Sequence, residues 1–449
     1  MSCVLIVATI APSAGPDRSR LNIIVITVDA LRADHLGVYG YSRPTSPSID
    51  AFAKEAVVVS DGISQAPYTK ASIASLLTGL YPTAHKTYTT NVTLGQLMTT
   101  GVGKSSVPST DVLGPELQTL PEALHDAGFE TFALTSNPYL ISDFGFAQGF
   151  EHFRFLSEHR DTASARFVLA EAIKALDGRS KRPFFLWVHL MEPHSPYTPP
   201  EPYRSMFPPL APPRPIDPSV IPARMQIGDS RDLNLYQARY DGEVRTADAA
   251  IGGFFEELRR RRLWNRTLIV VTADHGESFM EHGVLEHNTW LYDELVHVPL
   301  LIRIPGVTPR RVRMQLQLVD LYPTLARVAR AKVPDGLHGR DRLLELQGRA
   351  AADSYAYSEL VGVRFSIRTL EWKYISSLQG GRQLFDLRVD PREQNNLARQ
   401  QPKRVEQLER ELRRVVAMAV KSGEGVSGQS TLVAPEVLRQ LRSLGYIAQ

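Results

Sequence analysis

Four stretches of this chain are apolar, rich in β-branched residues, and end in polar ones. NIIVITVDA ends at Asp29 and FETFALTSN at Asn137. PFFLWVHLMEPH passes His189 and ends at His194, and TLIVVTADHGE ends at Asp274, His275 and Glu277. Continuous apolar runs suit strands buried on both faces of a parallel sheet. Helical patterns lie between them. One covers Ser48 to Val58, with Ile49, Phe52, Ala53 and Ala56 on a face; another covers Leu120 to Ala127; the longest runs from near Tyr236 to Leu258. The alternation predicts an α/β fold, a large, mostly parallel sheet sandwiched by helices. Ligands of such sheets bind outside the carboxyl ends of the strands, so all four polar endings are expected to face one crevice.

A chain of 449 residues has room for two structural units. Its formal net charge of +3 argues against a nucleic-acid partner, which would require a strong basic stripe. The Arg259 to Arg262 run closes a helical pattern, where cations suit the dipole. The single cysteine, Cys3, excludes an internal disulfide framework and a Cys-rich zinc site. MSCVLIVATIAPSAG has the length of an export signal but no cation before its apolar run. It reads either as a weak signal of an exported, periplasmic protein or as the frayed leader of a cytoplasmic one. No later segment is long and apolar enough to span a bilayer.

The chain therefore divides into a leader over 1–20, an α/β unit over 21–345 and a C-terminal unit over 346–449. In the last, Tyr355 to Leu360, Arg364 to Thr369, Lys373 to Ser377 and Gln383 to Leu387 predict a small antiparallel sheet. A helix from about Lys403 to Ser422 presents Val405, Leu408, Leu412, Val415 and Ala419 on one face for packing against that sheet. Two loops are expected. His194 to Ala223 is crowded with proline and either covers the site or runs over the surface; Asn91 to Leu113 is rich in Thr, Gly and Ser.

PYTKASIASLLTG, from Pro67 to Gly79, reads as a loop entering a helix, with Ile73, Leu76 and Leu77 on one face. Thr69 at its start is either an N-cap or a nucleophile aimed at an anionic group held at the same helix end. Asp29, Asp274 and His275 are hard or borderline metal ligands at two strand ends. A single Asp after a strand is usually a turn or cap residue; several converging ends argue for a metal. A divalent cation beside Thr69 would stabilise its alkoxide. Gly276 would let the backbone approach a ligand. His194 and His287 are candidates for binding ester oxygens or protonating the leaving group.

These motifs resemble the sulfatase family, within the alkaline phosphatase superfamily. VITVDALRADHLGVYGY, SLLTGLYPTAH, VHLMEPHSPY, TADHGESFMEHG, LYDELVHVPLLIRIPG and LFDLRVDPREQNNLA follow in the family's order. The resemblance implies a large α/β domain followed by a small antiparallel sheet with a helix. It implies Asp29, Asp274 and His275 as metal ligands, and Thr69 where sulfatases carry the Cys or Ser oxidised to formylglycine. His194 matches a substrate-binding histidine, and His287 stands where sulfatases have a sulfate-binding lysine.

The departures bear on the reaction. The family pattern of Cys or Ser, any residue, Pro, any residue, Arg is here Thr69, Lys70, Ala71, Ser72, Ile73. Ala30 replaces a frequent second acid, and a Lys and a His that the family holds after the next strand are replaced near Asn137. Asn137 and Lys70 are then the candidates for binding substrate. Thr cannot become formylglycine, and a Thr sulfate ester lacks the aldehyde's route of release. A phosphothreonine can be opened in line by water or an alcohol.

The expectation is a hydrolase or transferase of phosphate mono- or diesters. It would use one divalent metal (Mg, Mn or Ca, with Zn the alternative) on a small-molecule, glycan- or lipid-linked anionic ester. A true sulfuric ester hydrolase without formylglycine is the rival, and a degenerate anion-binding member the third reading. Oligomeric state is open.

Overall fold

The computed structural model describes residues 20–88, 109–158, 161–350 and 354–443. The leader and most of the expected Asn91 to Leu113 loop lie outside these residues. Nine described strands form the main sheet. Its four central strands are the four apolar runs, in the order Thr267–Ala273, Asn22–Val28, Phe184–Leu190 and Glu130–Thr135. All pair in parallel. Every residue in them is buried, which is why they carry no polar alternation. Register does the rest. Val28 sits opposite both Leu190 and Ala273, so Asp29, Met191 and Asp274 leave the sheet side by side.

One flank is antiparallel in part. Val57–Ile63 pairs antiparallel with Leu300–Arg303 and His297–Val298, and parallel with Arg310–Gln317. This corrects the expected helix over Ser48 to Val58. The helix is Pro47–Ala53, and the β-branched Val57, Val58 and Val59 start a strand. Their χ1 stiffness and the pairing available on both sides outweigh the helical spacing of Ala53 and Ala56.

The 28-residue helix Leu233–Arg260 packs against Ala165–Asp177 and Pro47–Ala53. Among the described residues no helix is long and apolar enough to cross a membrane. The small sheet is a four-stranded antiparallel meander of Ala356–Leu360, Arg364–Arg368, Trp372–Ser377 and Arg382–Asp386. Helix Pro402–Ser422 lays Val405, Leu408, Leu412, Val415 and Ala419 into the same apolar cluster as Tyr357, Ile367, Tyr374 and Leu384. Buried charges tie this sheet to the large one. Arg368 reaches Asp61 at 2.7 Å and Asp293 at 2.9 Å, while Lys373 lies between Asp293 at 2.7 Å and Glu393 at 3.0 Å. Near the end of the expected loop, Ser109–Asp111 is a strand, because Ser430–Leu432 supplies an antiparallel partner from far along the chain.

Candidate active site

Asp29, Asp274 and His275 are buried and offer ligand atoms within 4.8 Å of one another. Parallel register brings them together. His275 Nδ1 lies 2.8 Å from the Gly276 carbonyl, which leaves Nε2 facing Asp29 Oδ1 at 3.4 Å and Asp274 Oδ2 at 3.5 Å. Burial alone would raise the Asp29 carboxyl. The nearby imidazoles of His194, His189 and His275 hold it well below the usual range. Burial and the charge of Asp29 instead push Asp274 up. His275 is lowered by burial, yet the Asp274 and Asp29 carboxylates bring it to about 9.

The turn after Asp29 is strained. Ala30 has φ +55°, in the left-handed region. It is held by its N–H to Asp274 Oδ1 at 3.2 Å and by the Tyr240 hydroxyl, which donates to its carbonyl at 2.7 Å. Gly276 has a different role from the one expected. A Cβ there would meet the Glu294 carbonyl oxygen at 2.1 Å, so the close approach is to backbone.

Thr69 opens the helix Thr69–Thr78, whose ten residues are all buried. Tyr68 holds the N-cap position, and no side chain caps the helix. The Thr69 hydroxyl points elsewhere, 3.4 Å from Asp29 Oδ2 and 3.3 Å from His275 Nε2. Ile73, where the family pattern has Arg, is fully buried in the core.

The remaining expected residues separate into two groups. Asn137 joins the cluster, donating from Nδ2 to Asp29 Oδ2 at 2.7 Å. His194 and His287 stand ring to ring, 5.0 Å between centroids, and His287 lies 4.4 Å from the His275 ring. Lys70 does not join. Its ammonium donates to Thr110 Oγ1 at 2.5 Å and to the Asp111 carbonyl, 4.6 Å from the Phe144 ring centre. Successive helical residues point about 100° apart, so a residue next to the Thr69 position looks away from what Thr69 faces. Burial pushes this ammonium down to about 7.

Sequence reasoning gave no role to two groups that complete the cluster. His189 spans from Thr27 Oγ1 at 2.9 Å to Asp29 Oδ2 at 3.2 Å. Glu277 lies 3.0 Å from His287 Nδ1 and accepts from the Tyr197 hydroxyl at 2.9 Å. A histidine inside a doubly buried strand was the available signal for the first. The proline-rich loop runs partly over the surface and partly along a cavity. Residues from His194 to Tyr203 line a cavity, whereas Pro208 to Pro215 are exposed.

The family model described as Sulfatase matches residues 21–331. A second, described as N-sulphoglucosamine sulphohydrolase, C-terminal, matches residues 280–420. An ulvan-active sulfatase from Formosa agariphila is 26% identical over 88% of this chain and 80% of its own length. Arylsulfatase K from Mus musculus is 34% identical over 41% of this chain, which spans only 36% of that protein. Among solved structures, one in complex with its substrate D-glucosamine-2-N,6-O-disulfate superposes with a TM-score of 0.73 at 20% identity, covering 90% of this chain and 98% of the other. A phosphonate monoester hydrolase of Agrobacterium radiobacter gives 0.71 at 21% identity, covering 89% and 96%. At these identities the superpositions speak for the fold alone. The family match carries the assignment: the chain belongs to the sulfatase family, hydrolases of the alkaline phosphatase superfamily.

Proposed function

We propose that the chain cleaves phosphate mono- or diesters, by hydrolysis or transfer, with Thr69 as the nucleophile. The carrying observation is the direction of the Thr69 hydroxyl, toward Asp29 and His275, with no cap hydrogen bond at its own helix start. Sulfatase-family members use a divalent metal, and the residues here fit one. Asp274 Oδ2 is buried without a hydrogen-bond partner among the described residues, and two carboxylates with one imidazole suit Mg, Mn or Ca, with Zn the alternative. Asp29, Asp274 and His275 would hold the ion, which when bound favours an alkoxide and offsets the charge of the ester.

The chain's own residues do the following. Thr69 reacts as its alkoxide, its proton lost to water before the ester is attacked, with its oxygen held 3.4 Å from Asp29 Oδ2 and 3.3 Å from His275 Nε2. Its Oγ1 forms a bond to phosphorus as the bond to the leaving alcohol breaks, and the electron pair stays on the departing oxygen. His287, backed by Glu277, supplies that oxygen with a proton. Burial pushes His194 down to about 4, so it is neutral and orients the ester. Asn137 and His189 fix the Asp29 carboxylate. Backbone N–H groups at the start of the Thr69 helix face the negative charge of the transition state. Water or an acceptor alcohol then attacks phosphorus in line, passes its proton back to His287 and breaks the phosphorus bond to Thr69, whose oxygen leaves with the electron pair and restores the starting state.

The test is Thr69→Ala with matched aryl phosphate, phosphonate and sulfate esters. Turnover is expected to vanish with metal content and fold intact; undiminished activity would sink the nucleophile. A second reading keeps sulfuric ester hydrolysis, with Thr69 only binding the metal while water attacks. The names of the curated relatives support it. A higher kcat/KM on the sulfate than on the phosphate would establish it.

A further inference from the structure

Beside His194 lies a cavity of about 1220 Å³, walled by helices Ala165–Asp177 and Leu233–Arg260 and by the start of the proline-rich loop. Its charge is unusual for a chain whose substrate is an anion. Four glutamates and one cation, Arg166, line it. Glu257 is already paired with Arg260 and Arg261, and Glu192 accepts from the Ala165 N–H at the start of its helix. Glu243 differs. It is 5% exposed, accepts from the Thr198 N–H at 2.7 Å, and has no ion-pair partner among the described residues. Burial and the charge of Glu192 push its carboxyl up to about 8 against the opposing charge of Arg204, and a cationic group seated beside it would draw the proton off.

A second observation is independent of the acids. Ser195, next to His194, is 1% exposed, lines the cavity, and its hydroxyl has no hydrogen-bond partner among the described residues. Buried hydroxyls are ordinarily satisfied, so this one marks a place for a polar ligand atom. Leu169, Ile173 and Phe254 supply an apolar wall.

We propose that this cavity receives the alcohol portion of the ester, and that it selects an alcohol bearing a protonated amine, seated against Glu243 with the Ser195 hydroxyl beside it. The assignment to the alcohol rests on the reading above, in which His194 stands at the reacting ester. His194 is the wall shared by cavity and cluster.

The experiment compares 3-amino-1-propanol with 1-butanol, a neutral alcohol of similar size. Binding to the metal-loaded wild-type protein is read by ligand NMR at pH 7. In parallel, kcat/KM is measured for the phosphate and sulfate esters of both alcohols. The amine is expected to bind about tenfold more tightly, the worth of one charged hydrogen bond. The amino-to-neutral ratio in kcat/KM should follow. Glu243→Gln should abolish the preference and Glu243→Asp should keep part of it, with melting temperatures confirming that both fold. Equal binding of the two alcohols by wild type, or a preference that survives Glu243→Gln, overturns the proposal. So does amine binding that leaves the kcat/KM ratio at one. Amine binding through Glu243 with no turnover of any ester upholds the cavity as an amine site and sinks the Thr69 reading instead.

Discussion

Two buried clusters of charge sit in this molecule, and they are built differently. At the junction of the two sheets, Arg368 and Lys373 lie among Asp61, Asp293 and Glu393 at 2.7–3.0 Å, cation against anion. At the carboxyl ends of the central strands, Asp29 and Asp274 converge with histidines, His275 at 3.4 and 3.5 Å and His189 at 3.2 Å from Asp29. Asp274 Oδ2 and His287 Nε2 have no hydrogen-bond partner among the described residues. A charge that finds its opposite in the fold holds elements together. Buried acids and imidazoles left with open valences are expensive, and stay only where a ligand completes them. The first cluster is complete within the fold; the second leaves buried polar atoms open.

Four experiments can break or sharpen that contrast. Thr69→Ala acts on the second cluster alone. It should lower kcat by about 10⁴-fold or more in steady-state assays, with the urea midpoint unchanged. Lys373→Met acts on the first alone: it strands Glu393 and leaves Asp293 to Arg368 only. It should cost about 3–5 kcal/mol in urea unfolding, with kcat of the folded fraction preserved. Asp274→Asn should separate stability from function within one residue. It relieves the repulsion with Asp29, so the metal-free protein should gain about 1 kcal/mol in thermal unfolding, while metal binding by calorimetry is lost.

The smallest effect concerns pH. Glu359, buried and accepting from the Thr83 N–H at 2.6 Å, is pushed up to about 7 by burial. Between about 4.5, its value in the unfolded chain, and 7, the folded protein holds the extra proton. Stability from this group is complete below that window and falls as pH rises through it. Glu359→Gln should flatten that slope in unfolding measured from pH 4.5 to 7.5.

The central strands were legible because burial on both faces writes itself as unbroken apolar sequence, as in NIIVITV. The site was legible where it sits at those strand ends. The small sheet and its helix were equally plain, since Val405, Leu408, Leu412, Val415 and Ala419 keep helical spacing. What escaped depended on partners distant in sequence. Val57 and Val58 read as the end of a helix, but with residues 59–63 they form a strand paired with Leu300–Arg303 and Arg310–Gln317. Lys70 looked like an anion binder because it adjoins Thr69, but side-chain direction within a helix decides contact. His189 was hidden inside an apolar strand, where only three-dimensional register shows it reaching Asp29.

The pairing of Ser109–Asp111 with Ser430–Leu432 carries a consequence for timing. The first of these strands bears Thr110 and Asp111, which receive the ammonium of Lys70, the residue after Thr69. A nascent polypeptide leaves the ribosome with its strand-end acids and histidines long before its 430s. Through that interval the shelf beneath Lys70 lacks the strand that secures it. The seat of Lys70 is thus completed only once residues 430–432 have been made, long after the strand-end acids and histidines.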